Sequence, residues 1–256
     1  MDIHLKPRCT PGATVTPTAN GWRLAIPPGR RGTYRLSQLD DYATHPRRLL
    51  PHSPPLTLNL RARVSAVDLP GTWGFGLWND PFSVSFGLNG MARRLPALPQ
   101  TAWYFHASPP NHLALRTGIP ARGFFAGTFR SPRIPSLLLA PGLLALPLLA
   151  LRPVSRLLRR VASRIAVQDG VPVNRDFRSL DVTLWHEYTI EWRTDTCTFR
   201  VDGQELLRTS VTPPGPLGLV LWIDNQYAAW DDEGRVGYRT LENEDAWMEI
   251  ENLQWA

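Results

Sequence analysis

The residues best equipped for chemistry are few and far apart in the chain. His106 is a candidate general base, since an imidazole near its ordinary pKa takes up a proton around neutrality. Asp80, Glu187 and Asp224 are candidate acid–base carboxylates. Asp224 opens the run Asp224-Asn225-Gln226-Tyr227 behind an apolar stretch, so its polar groups emerge at a strand end, where sites and ordinary turns both occur. Glu187 alternates with Tyr188, which is also the pattern of a strand's solvent face. Cys9 and Cys197 have no metal-ligand spacing, and neither do the histidines, so reduced thiols, no metal and no cofactor are expected. Aromatic and amide side chains offer binding instead. Trp73, Trp78, Asn79, Trp103, Tyr104, His106, Asn111 and Asn225 form a candidate ligand-lining set, because indole faces stack on sugar rings and amides supply donors and acceptors. On a strand, Tyr104, His106 and Ser108 share one face, and Trp103 and Phe105 the other. The same tryptophans equally suit the core between two sheets.

The elements that would position these groups are mostly strands. The 256 residues include 25 Pro, 19 Gly and 10 Trp, a composition of short elements joined by turns. Leu56 to Val64 alternates apolar and polar over its whole length, as a strand with one buried face does. Gly21 to Ile26, Trp73 to Trp78, Ser83 to Gly87, Ala102 to Ala107 and Trp247 to Ala256 are further strands. Trp185 to Trp192 and Cys197 to Val201 form a hairpin-like pair, the second closing on Asp202-Gly203. Leu217 to Ile223 is a continuous apolar run, suited to a strand covered on both faces. One sandwich spanning residues 1–256 is expected, with an insertion at 130–168.

Several of these pieces resemble family 16 glycoside hydrolases. His186-Glu187-Tyr188-Thr189-Ile190-Glu191-Trp192, followed by Val201-Asp202-Gly203, is similar to that family's strand pair ending in a Val-Asp-Gly turn. Arg61-Ala62-Arg63 with Pro70-Gly71-Thr72-Trp73, Pro216 to Asn225, and Met248 to Leu253 match its strands in type and order. The resemblance implies an all-β, concanavalin A-like two-sheet jelly-roll sandwich. It also implies a cleft strand carrying a Glu-x-Asp-x-x-Glu pattern. The corresponding stretch here, Trp103 to Pro110, holds no carboxylate, nor does anything from Pro81 to Gln168. Retaining glycosidases need two carboxyl groups about 5–5.5 Å apart, so that mechanism is not expected to run.

The formal charge is +6 and Lys6 is the only lysine. The acid-free stretch holds the excess, including Arg152, Arg156, Arg159, Arg160 and Arg164. These interleave with Val154, Leu157, Leu158, Val161 and Ile165 at helical spacing, the pattern of a basic amphipathic helix. Before it, residues 134–151 are uncharged and leucine-rich, with Pro135, Pro141 and Pro147 to break a helix. An apolar hairpin and an Arg-rich helix suit insertion into one leaflet of an anionic membrane surface, with Leu143, Leu144, Leu148, Arg156, Arg159 and Arg160 as contacts. A lid over an apolar cavity, a partner interface and a buried subdomain are the rival readings. Nucleic acid is not expected, for want of an aromatic-interleaved basic groove. No apolar run follows the basic start at Met1 to Cys9, so a cytoplasmic protein is expected, peripheral at the inner membrane face. The expected function is non-hydrolytic binding of a glycan or glycolipid. The alternatives are an enzyme, either a divergent glycosidase or one acting on a lipid-like substrate under the insertion, and a structural or assembly protein.

Overall fold

A computed structural model describes residues 5–81, 95–173 and 180–256, without the side chains of 143–145. The strand expected at 83–87 lies outside the described residues, as do the side chains of Leu143 and Leu144. The strands are β1 (Lys6–Cys9), β2 (Thr14–Pro17), β3 (Gly21–Ile26), β4 (Leu36–Asp40), β5 (Leu56–Val64), β6 (Thr72–Trp78), β7 (Thr101–Ala107) and β8 (Gly123–Arg130). The insertion follows as α1 (Ser136–Leu139), a 3-10 stretch (Ala140–Ala150) and α2 (Arg152–Ile165). The chain closes with β9 (Val167–Pro172), β10 (His186–Trp192), β11 (Cys197–Val201), β12 (Gln204–Thr209), β13 (Gly218–Asp224), β14 (Gln226–Trp230), β15 (Val236–Thr240) and β16 (Ala246–Trp255).

Two antiparallel seven-stranded sheets face each other, the jelly-roll sandwich expected from the alternating strands. The front sheet runs β1-β4-β13-β6-β7-β8-β9 and the back sheet β12-β11-β10-β5-β16-β3-β2, while β14 and β15 make a separate hairpin. Strand β5 shows how sequence sets the arrangement. Leu56, Leu58, Leu60, Ala62 and Val64 turn inward and Thr57, Asn59, Arg61 and Arg63 outward, without a break in the alternation. Opposite them, Trp73, Phe75 and Leu77 of β6 and Leu219, Leu221 and Ile223 of β13 fill the space between the sheets.

The front sheet differs from the back sheet in having a second apolar layer on its outer face. Trp103, Phe105, Phe125, Phe129, Val220 and Trp222 cluster there with Leu50 and Ala166, and Leu113 and Leu115 pack against them. The continuous apolar run of β13 is thereby explained: alternate residues serve the two layers. The back sheet's outer face is polar instead, where Arg23 and Arg63 bind Glu249 at 3.1 and 2.7 Å. Their guanidinium groups lie over Trp247, and that of Arg63 also over Trp185.

The insertion is not the expected apolar hairpin. Pro141 and Pro147 lack the N–H groups that an α-helical ladder needs, and the chain winds through tight 3-10 turns instead. The basic helix forms as expected, with Pro153 in its first turn, where a missing N–H costs nothing. Its inner side is polar. Ser155 accepts a hydrogen bond from Trp230 Nε1 at 2.9 Å, and Arg159 Nη2 donates to the Ala114 carbonyl at 2.8 Å and to Asp232 at 2.7 Å. Arg159 is therefore held within the protein, not presented to a membrane surface: Nη2 is bound by these two acceptors, while Nη1 is buried without a partner among the described residues.

Candidate functional site

Strand alternation divides the expected ligand-lining set between two separate layers. Trp73, Tyr104 and His106 point into the space between the sheets. Tyr104 spans it, its hydroxyl donating to the Arg200 carbonyl of the back sheet at 2.7 Å. Burial raises that phenol well above its ordinary pKa. His106 stacks on Trp73 with ring centroids 5.3 Å apart. Burial pulls its pKa down to about 4, because a charged imidazole would be stripped of water there, and Nε2 has no hydrogen-bond partner among the described residues. The ring is thus neutral near pH 7, but it abuts the core and lies on the side of β7 away from Trp103.

Trp78 and Trp103 share the outer face of the front sheet. With them sits Trp222, parallel to Trp78 at 6.5 Å and 5.9 Å from Trp103. Phe105 lies 5.1 Å from Trp222. Gly74 and Gly76 of β6 make this floor possible. A Cβ at Gly74 would come within 2.7 Å of the Trp222 ring, and one at Gly76 within 2.6 Å of Trp103 Cα. The glycines therefore admit indoles of the protein itself. Trp103, Phe105, Phe125, Phe129 and Trp222 are each at most 9% exposed, so the floor is covered. The α2–β9 junction supplies part of the cover through Ala166.

The expected amides are spent on backbone groups. Asn79 bridges the Leu98 carbonyl and the Gln100 N–H. Asn111 accepts from the Ala228 N–H at 2.9 Å and donates to the Ser108 carbonyl at 2.8 Å. Asn225 accepts from the Arg35 N–H and donates to the carbonyls of Thr33 and Leu241. Each thereby locks one loop to another.

Asp224 lies on the outer face of β13 and is fully buried. Desolvation pushes its pKa up to about 7, despite donation from the Thr72 hydroxyl at 2.8 Å, the N–H groups of Thr72 and Gln226, and Tyr34. The other carboxylate on the strands of this face is Asp40 of β4, raised by burial and held by Arg8 at 2.9 Å. Asp40 pairs with Val220, four residues from Asp224 along β13, so their backbones are offset by roughly 13 Å at ~3.3 Å per residue, and each carboxylate is taken up by its own partners. Glu187 is exposed on the back sheet's outer face and has both sheets between itself and Asp224. Among the described residues no group of three or more His, Cys, Asp or Glu side chains could hold a metal ion.

The insertion presents the opposite picture to the covered floor. Leu137 and Leu138 are 74% and 70% exposed, and Leu146, Leu148, Leu151, Leu157 and Val161 are also exposed. Arg152, Arg160 and Arg164 are exposed along α2 among them, and Arg156, also exposed, donates through Nε to the Glu233 carbonyl at 2.8 Å. Among the described residues no helix is long and apolar enough to cross a membrane. Sequence reasoning missed Trp222, Phe125 and Phe129. The usable signal for Trp222 was its place two residues before Asp224, which puts both on one face of β13.

No protein-family model and no curated protein matches the chain. Solved structures resemble it in fold. A legume lectin-like domain from Entamoeba histolytica is 10% identical with a TM-score of 0.46, the match covering 98% of this chain and 89% of that one. A glycoside hydrolase family 16 endo-glucanase from Bacteroides ovatus is 9% identical with a TM-score of 0.48, covering 95% and 85% of the two chains. The protein LamAcat from Zobellia galactanivorans is 12% identical with a TM-score of 0.48, covering 93% and 78%. At these identities the likeness is one of fold and assigns no residue a role.

Proposed function

We propose that this chain is a non-hydrolytic binding protein that sits on an anionic membrane face and recognises a glycolipid there. The exposed Leu137, Leu138, Leu146, Leu148 and Leu151 carry the membrane part of the reading. Apolar side chains this exposed, flanked by arginines without acidic neighbours in sequence, suit the boundary between headgroups and acyl chains. The aromatic floor supports the ligand part, since indole faces stack on sugar rings. Ala166, at the end of the basic helix, packs into that floor, so the membrane element and the aromatic layer are contiguous. On this reading a sugar would reach Trp103 and Trp222 only with the cover displaced. Asp224 and Asp40 are both buried and taken up by donors of the protein itself, which supports binding over hydrolysis. Sedimentation with vesicles of anionic and neutral phospholipid tests the reading. Binding to anionic vesicles, reduced by salt and by replacing Arg152, Arg160 and Arg164 with Gln, is expected. A protein that ignores anionic vesicles at low salt refutes it.

A further inference from the structure

The β14–β15 hairpin belongs to neither large sheet, and its tip lies against the basic helix. The hairpin is fixed at its root, where the Leu241 N–H donates to the Asn225 carbonyl, and along β14, where the His112 backbone bonds Ala228 and Trp230. Arg152, Ser155, Arg156 and Arg159 recur at helical spacing on one face of α2, and each meets the hairpin. Trp230 donates to the Ser155 hydroxyl, Arg156 Nε donates to the Glu233 carbonyl at 2.8 Å, and Arg159 Nη2 binds Asp232 at 2.7 Å. Gly234 is buried flush against the helix backbone, so that a Cβ there would come within 2.9 Å of the Arg152 carbonyl oxygen and 3.0 Å of the Arg156 nitrogen. Within the tip, Arg235 binds the carboxylates of Asp231 and Glu233. The carboxylate that meets α2 is that of Asp232, itself 71% exposed.

The chain from Pro81 to Gln168 carries no acid, so the counter-charge for α2 has to come from elsewhere, and the hairpin brings it from 73 residues away. We infer that the hairpin is a restraining strap, which withholds Arg156 and Arg159 from the anionic surface that Arg152, Arg160 and Arg164 are free to meet. Its hold on the helix is made of hydrogen bonds and one ion pair, interactions with which anionic headgroups compete directly. The inference rests on the membrane reading and adds its regulation: two of five guanidinium groups are held in reserve until the strap parts from the helix.

Gly234→Ala in the full chain is the test, because the added methyl meets helix backbone that cannot turn aside. Gly203→Ala is the control. Gly203 shares the left-handed backbone, with φ +77° against +76° at Gly234, but an added Cβ there has nothing within 4 Å. Hydrogen exchange of α2 should quicken roughly tenfold in Gly234→Ala, while β5 and β10 of the back sheet keep the parent's protection. Affinity for vesicles of phosphatidylserine and phosphatidylcholine should tighten by roughly thirtyfold, the effect of two more headgroup contacts. Ser155→Ala with Asp232→Asn, which removes two of the strap's contacts without a clash, should shift both readings the same way by less. Helix exchange no faster than in the control, or faster exchange with unchanged vesicle affinity, overturns the strap while a parent that sediments keeps the membrane reading. If neither parent nor variants sediment with anionic vesicles, the membrane reading fails and the strap falls with it.

Discussion

Replacing Leu137 and Leu138 with Gln isolates the apolar part of membrane attachment, because both side chains are about three-quarters exposed, at 74% and 70%, and contribute little to folding. Fully burying a leucine is worth about 1.5–3 kcal/mol, so withdrawing what these two still expose should contribute roughly 2–4 kcal/mol in total. With tenfold per 1.4 kcal/mol, the vesicle dissociation constant should rise about thirty- to several-hundred-fold. Gln is a good helix former, so α1 should survive. The assay is sedimentation with anionic vesicles at several lipid concentrations, paired with a urea unfolding curve. The variant should keep the parent's midpoint within experimental scatter. An unchanged dissociation constant would refute the reasoning, as would a midpoint lowered enough to show that these leucines pack against the protein.

Four other outcomes are expected. Arg159→Leu should destabilise the protein by about 1–3 kcal/mol, since it strands the buried Ala114 carbonyl; urea unfolding reads this, and faster proteolysis within 134–166 should accompany it. Asp224 binds its proton more tightly folded, with a pKa of about 7, than unfolded, so stability should fall as pH rises from about 4 to 7, and Asp224→Asn should remove that slope. His106 has the opposite sign: its folded pKa of about 4 lies below the ordinary 6.5, so stability should be lost as pH falls through that window, and His106→Gln should flatten it. Trp73→Ala should cost about 3–5 kcal/mol by emptying the inter-sheet core, whereas Glu187→Gln on the exposed face should leave the unfolding midpoint in place.

The sandwich was legible wherever one face of a strand is wet. Leu56 to Val64 advertises its inward leucines because Arg61 and Arg63 must reach water, and the Asp202-Gly203 turn marks the end of β11. Legibility failed on the front sheet, where both faces are dry. Trp73 and Trp78, five residues apart, fall on opposite faces of β6 by alternation, but with both faces apolar the sequence does not say which of them enters the space between the sheets. The amides misled for a related reason. Asn79, Asn111 and Asn225 have the side chains of a binding site, but their partners are backbone groups brought close by the fold, on which the sequence is silent. The helix at 152–165 was visible in its spacing, while the burial of Arg159 depended on Ala114 and Asp232, remote along the chain.

The cover over Trp103 and Trp222 has a kinetic consequence. On the proposed reading a ligand for that floor meets it only after the α2–β9 junction and its neighbours lift, a step set by the protein before contact. In rapid mixing, the observed association rate should therefore rise with ligand concentration and then level off at the opening rate. A rate that stays linear in concentration would mean that the ligand makes contact elsewhere on the molecule.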